Sequence, residues 1–277
     1  GVSSNCGCGA GISAAFTANV PAGISLVNAL AYRQPVRVDA RLFRLIQDCV
    51  ALNQETAGGF DITIGPLMRI WRHAAEAGIE PDRSTLDEAR YSTGVQNLIL
   101  DEADFSISYA RPGVSIDLGG YGKGYAIERA IGLLEEAGIT SAILHGGTSS
   151  IATLGSAPGM DSWRISLSEV FRNEAPFLDL NGLSMSVSGI SGRSFRVGSR
   201  RVGHIMDPLT GEAVTEIEAA AVTGPSASVC EAYSTALLVR GRFLREKLGV
   251  NRPDYSCLVA GSGFDSRSGA VYRSHLP

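Results

Sequence analysis

Residues 97–139 read NLILDEADFSISYARPGVSIDLGGYGKGYAIERAIGLLEEAGI, and this stretch sets the class of fold. NLILDEADFSISYA alternates apolar and polar residues on both sides of a short acidic turn, the pattern of a β-hairpin. RPG then leads into VSIDL, read as a further strand. Four glycines surround Lys123, and an amphipathic helix over 122–137 follows, with Gly138 as its C-cap. A hairpin running into a helix is not the βαβ unit of a doubly wound sheet.

The segments on either side keep this mixture. Upstream, Ala40 to Glu55 carries Leu42, Leu45, Ile46, Cys49 and Val50 on one helical stripe, so Cys49 is expected in the core. TAGGFDITIGPLMRIW follows as a glycine break and a second apolar segment, and a short helix is expected at Ser84–Tyr91 with Ser84 as cap. Downstream, SAILHGG, WRISLSEV, LSMSVSG, SFRVGSRRVGHI and EAAAVTG read as strands. SASVCEAYSTALLVRG reads as a helix ending at Gly241, and CLVAGSG and AVYRS as a closing strand pair. Strands and helices without strict βαβ alternation give an α+β fold. Residues 1–23 are Gly/Ala/Ser-rich and expected to be weakly ordered. Residues 24–277 form one domain, or two interleaved lobes without a linker between them.

Composition narrows the function. The 277 residues are 44% hydrophobic and 19% charged, with a net charge of −4. An acidic chain without Lys/Arg runs is a poor match for nucleic acid, whose binding rests on neutralising phosphates. No window approaches the roughly 18 to 20 apolar residues of a membrane span. The first residues lack the basic and apolar regions of an export signal. The five cysteines, Cys6, Cys8, Cys49, Cys230 and Cys257, have neither disulfide regularity nor zinc spacing.

Three places carry chemistry. The glycine turn fails both standard phosphate patterns: Lys123 is followed by Gly124 rather than Ser/Thr, and the glycines give GxGxG instead of GxGxxG. Two readings remain, a solvated strand-to-helix turn or an anion site of backbone N–H groups and Lys123 at a helix N-terminus. In CEAYSTAL, Glu231, Ser234 and Thr235 share one helix face, a hard-oxygen set suited to Mg²⁺. Ser228-x-x-Glu231 is equally a capping box. Third, His204 ends a strand ahead of a DPLTG turn and is the side chain best suited to move a proton near neutral pH. His73, His145 and His275 form no metal spacing with it.

GGFDITIGPLMRIW (58–71), IDLGGYGKGYAIERA (116–130), GHIMDPLTG (203–211) and PSASVCEAYSTAL (225–237) occur in the order found in the FAD:protein FMN transferase (ApbE-type) family, which the chain resembles over about residues 24 to 260. LVNALAYRQPVRVDARLF (26–43) and LHGGTSSIATLG (144–155) match less closely. The resemblance implies a single domain of mixed sheets and flanking helices. It implies a Mg²⁺-dependent enzyme that moves FMN from FAD, as a phosphoester, onto a Thr or Ser of a partner flavoprotein. Some members hydrolyse FAD to FMN and AMP instead, and a flavin-binding paralogue without turnover is a further alternative.

By position, the resemblance places Gly59, Phe60 and Asp61 at the flavin nucleotide, Asp117, Lys123 and Ile205 on FAD, and His204 as general base. The Gly120 carbonyl, Glu231, Ser234 and Thr235 would hold the metal. The chain departs from the family at Glu231, usually Asp, at Ala18, usually a flavin-stacking Tyr with only Phe16 nearby, at DIT for DPT, and in a shortened N-terminus. Relatives work in the bacterial periplasm or on the outer side of the inner membrane; the lack of a visible signal leaves the cytoplasm open.

Overall fold

A computed structural model of the chain describes residues 23–168, 171, 177–190, 194–198 and 200–261. The expected weakly ordered segment, with Cys6, Cys8, Phe16 and Ala18, therefore lies outside the described residues apart from Gly23, as does AVYRS. The elements run α1 (Ile24–Leu30), β1 (Val36–Arg37), α2 (Ala40–Glu55), α3 (Gly65–Ala77), α4 (Arg83–Tyr91), β2 (Leu98–Asp101) and β3 (Ser106–Tyr109). Then come α5 (Gly122–Glu136), β4 (Ala142–Gly146), β5 (Ser150–Leu154), β6 (Trp163–Ser166), β7 (Phe177–Leu180) and β8 (Ser184–Gly189). Last are β9 (Ser194–Val197), β10 (Arg200–Gly203), β11 (Ile217–Gly224), α6 (Ala227–Asn251) and β12 (Ser256–Gly261).

Local chemistry sets most boundaries. The side chain of Asp39 accepts from Arg41 N and starts α2, whose Leu42, Leu45, Ile46 and Cys49 face inward as the stripe predicts. Pro66 sits in the first turn of α3, and Gly78, at φ 69°, closes it in the left-handed region. The α4 cap is Asp82 rather than Ser84. Its carboxylate accepts from Thr85 N at 2.8 Å, and Ser84 donates to the same oxygen instead of capping. Gly241 interrupts α6, at φ 53° and ψ −131°, but the helix resumes to Asn251 instead of ending there.

The predicted hairpin forms, and β1 adds to it in the antiparallel order β1-β3-β2. A five-stranded sheet, β12-β11-β8-β5-β4, is antiparallel throughout. Helix α6 lies against β8 and β11, and α5 lies against β4 and β5 and against α6. On the sheet's other face Ile151, Met185 and Ala221 pack with Leu180 of the β6–β7 hairpin. Helix α3 packs on the β9–β10 hairpin through Leu67, Trp71, Val197 and Val202. One core cluster joins α1, α2, β3, β11 and α6 through Val27, Ile46, Ile107, Val222 and Leu237, so the fold is a single α+β domain. No described helix is long and apolar enough to cross a membrane.

Close approach of α5 to α6 positions the site. A Cβ on Gly124 would lie 2.4 Å from the Ala227 carbonyl oxygen and 2.7 Å from Ser228 Cα, backbone atoms that cannot swing aside. Gly124→Ala is therefore expected to cost about 1–3 kcal/mol by forcing the helices apart. That corresponds to a fall in Tm of roughly 2–12 °C, read by calorimetry. An unchanged Tm would show that the crossing tolerates a methyl group.

Candidate active site

A cavity of about 570 Å³ opens between the turn after α2, the glycine turn before α5, the β4–β5 loop, the end of β10 and the first turns of α6. Gly59, Phe60, Asp61, Asp117, Gly120, Lys123, His204, Ile205, Glu231 and Thr235 all line it. Of the residues singled out from sequence, Ser234 alone does not. It is fully buried behind the wall, where its hydroxyl meets Ser188 Oγ at 2.9 Å and Ser186 Oγ at 3.2 Å.

The first wall is built by α2 and the turn that ends it. Ala57 and Gly58 take left-handed φ values of 51° and 73°. Asn53 then donates to the Phe60 carbonyl at 2.7 Å and to Asp61 Oδ2 at 3.1 Å. Thr63 donates from both N and Oγ1 to Asp61 Oδ1, at 2.7 and 2.6 Å. Burial pushes the Asp61 carboxyl above its usual range, while the hydrogen bonds from Thr63 and Asn53 pull the other way. Gly59 has no room for a side chain, since a Cβ would meet Arg240 Cγ at 2.8 Å and the Ala236 carbonyl at 3.1 Å.

VSIDL belongs to no sheet, so the strand expected there does not form. Ile116 N donates to Asn28 Oδ1 at 2.8 Å, and Asp117 N to the Ile62 carbonyl at 2.7 Å. These contacts tie the segment to α1 and to the first wall rather than to a strand partner. Asp117 Oδ1 accepts from Gly119 N at 2.7 Å, an Asx turn that swings the chain into α5. The Phe60 ring and Thr235 Oγ1 each lie 3.5 Å from where a Gly120 Cβ would stand.

At the N-terminus of α5 the Gly124 N–H and Lys123 meet a carboxylate of the protein itself. Glu231, 2% exposed, accepts from Gly124 N at 2.9 Å and from Ser150 Oγ at 2.5 Å. Lys123 Nζ lies 2.5 Å from Glu231 Oε1 and 3.5 Å from the Gly119 carbonyl. The capping box does not form. Ser226 caps α6, and Ser228 N and Oγ donate to Glu128 Oε2 at 3.2 and 2.8 Å, which leaves Glu231 to the cavity wall.

His204 is half-buried where β10 ends. Ile205 beside it packs on the main core, and Val214 N donates to the Ile205 carbonyl at 3.0 Å. A bridge between Met206 and Ala213 fixes the following turn. His73 and His145 are exposed on α3 and β4, and His275 lies outside the described residues.

Sequence reasoning missed several lining residues: Arg72 on α3, Thr148 and Ser149 on the β4–β5 loop, and Ser186 and Ser188 on β8. The alternation in SMSVS held the signal for the last two. It marks one apolar face and one hydroxyl face, and the hydroxyl face turns to the cavity and α6 instead of to water. Arg72 gave no signal, since an arginine on the polar face of a helix is ordinary. Cys49 and Cys230 are buried and burial pushes their thiols up, so both are inert core groups.

Among the described residues no three His, Cys, Asp or Glu side chains cluster as a metal site. Gly120, Glu231 and Thr235 line the cavity and offer a carbonyl, a carboxylate and a hydroxyl, hard oxygens of the kind Mg²⁺ prefers. A cation already stands among oxygens there, since the Lys123 ammonium lies between the Glu231 carboxylate and the Gly119 carbonyl. The donor set thus fits a divalent ion in its chemistry, while the Glu231 charge is matched by Lys123.

The chain is also similar to known proteins. The chain is 32% identical over 188 residues to a protein named FAD:protein FMN transferase from Klebsiella pneumoniae, a match over 67% of this chain and 57% of that relative. To one of the same name from Salmonella typhimurium it is 27% identical over 262 residues, 87% of this chain and 72% of the relative. The fold matches the crystal structure of an ApbE protein from Thermotoga maritima with a TM-score of 0.78 at 26% identity, covering 87% of this chain and 79% of that one. The Pseudomonas stutzeri flavinyl transferase ApbE shares the fold at a TM-score of 0.72 and 23% identity, over 86% and 74% of the two chains. The ApbE family model itself spans residues 10–255, which takes in every wall of the cavity, and the chain belongs to the ApbE family.

Proposed function

We propose that this chain transfers FMN from FAD to a Ser or Thr hydroxyl of a partner flavoprotein, with a divalent ion such as Mg²⁺. One observation carries the proposal. Segments 59–61, 117–123, 204–205 and 231–235, far apart in sequence, line a single cavity that offers a histidine, two strongly cationic side chains and hard oxygen donors.

The chemistry of the lining residues supports the following roles. Gly59 and Gly120 lend their backbone to the cavity wall, and Asp61 and Asp117 offer acceptors for the substrate's hydroxyl and ring N–H groups. Lys123 and Arg72 face the pyrophosphate charge. The acceptor hydroxyl attacks the phosphorus on the FMN side of the pyrophosphate, forming one P–O bond as the P–O bond to AMP breaks. The hydroxyl proton passes to His204, and AMP leaves. A divalent ion held by the Gly120 carbonyl, Glu231 and Thr235 would supply neutralisation of the developing charge.

Incubation with FAD, MgCl₂ and a Ser/Thr-containing acceptor peptide tests the proposal. Covalent flavin on the peptide, read by mass spectrometry, is expected. FMN and AMP without labelled peptide would make water the acceptor and the chain a pyrophosphatase. Unchanged bound FAD would make it a flavin-binding protein, and no product with any divalent ion overturns the proposal.

A further inference from the structure

We propose that Arg240 is a positioning residue that locks two walls of the cavity to the helix carrying Glu231 and Thr235. Its Nε donates to the Ala57 carbonyl at 3.1 Å and its Nη2 to the Gly58 carbonyl at 3.4 Å. Its Nη1 pairs with Asp207 Oδ1 at 3.1 Å, with only 14% and 18% of the two side chains exposed. One guanidinium thus reaches the turn that leads into Phe60 and Asp61 and the turn that leads out of His204.

Each contact compensates a specific weakness. Ala57 is one of two non-glycine residues with positive φ among the described residues, a conformation that L side chains resist. The carbonyls of Ala57 and Gly58 gain charged donors in that turn, and the arginine stem lies over Gly59, where no side chain fits. Asp207 Oδ1 also accepts from Leu209 N at 2.9 Å, so the same oxygen shapes the DPLT turn and receives the guanidinium. A planar fork of five N–H donors can serve three acceptors lying in different directions, which a lysine ammonium cannot reproduce.

The effect on turnover rests on the flavin-transfer reading, whereas the clamp does not, so the test has two arms. The first measures amide hydrogen exchange by mass spectrometry in wild type, Arg240→Met and Arg240→Lys. Methionine keeps the stem over Gly59 and removes every donor; exchange in 57–61 and in 205–212 is expected to rise at least about tenfold. Lysine keeps the pair with Asp207, so 205–212 is expected to stay near wild type while 57–61 speeds up.

The second arm measures FMN transfer. In Arg240→Met kcat is expected to fall roughly 10- to 100-fold, because small misplacements of reacting groups cost that much, while KM for FAD changes by less than about threefold. Unchanged exchange in both segments overturns the clamp. Faster exchange with kcat within twofold of wild type overturns the positioning role and leaves a structural one. If wild type itself makes no product, the transfer reading fails and exchange alone decides the clamp.

Discussion

Replacing His204 by alanine is expected to lower the rate of FMN transfer by about 10²–10⁴-fold, the usual contribution of a positioned general base. FAD affinity is expected to change by less than about threefold. The split follows from what holds the residue in place. His204 is set by the end of β10, by Ile205 on the core and by the Met206–Ala213 bridge, all of which alanine leaves intact. The walls that would hold the dinucleotide, Phe60–Asp61 and Asp117–Lys123, are tied in place by Asn53, Thr63 and Ile62. Single-turnover transfer beside equilibrium FAD titration separates the two effects. A parallel loss of binding would make His204 a ligand contact and remove it as the base.

What the sequence told in advance depended on whether local chemistry decided the outcome. The bounds of α2 follow from an apolar stripe behind an aspartate cap, and the hairpin at 98–109 from alternation around an acidic turn. The cap of α4 went to a local competitor, Asp82, two residues from Ser84. Of the two readings open for Glu231, the local capping box gave way to distant partners, Gly124 N, Ser150 and Lys123. VSIDL has strand composition, yet its backbone groups bond to Asn28 and Ile62. The glycine turn illustrates both outcomes. A helix N-terminus with a lysine called for an anion, and one is there, but only tertiary structure brings the carboxylate of α6 to it. That most of the named residues line one cavity was legible because the four motifs lie close to the family pattern, whereas Arg72 and Arg240 lie on helix faces whose partners no spacing shows.

Glu231 carries the second large effect, because one side chain serves stability and chemistry together. Glu231→Ala would leave Gly124 N–H and Ser150 Oγ without their acceptor in a wall where the glutamate was 2% exposed, and Lys123 without its counter-ion. Breaking a fully buried ion pair costs about 3–5 kcal/mol. The Lys123 side chain is 35% exposed and can rehydrate, so the cost falls at or below the bottom of that range, about 2–3 kcal/mol and a Tm drop of roughly 4–12 °C. Glu231→Gln keeps an acceptor for Gly124 N–H and removes the charge, so its Tm should fall by less than half as much. Both variants remove the carboxylate that would balance a divalent ion, so transfer should fall at least about 100-fold in each, far more than the Tm difference between them predicts. Calorimetry beside single-turnover transfer reads the contrast. A glutamine variant with near wild-type turnover would show that Glu231 only buttresses the α5–α6 crossing, whereas a folded but inactive one places its charge in the reaction.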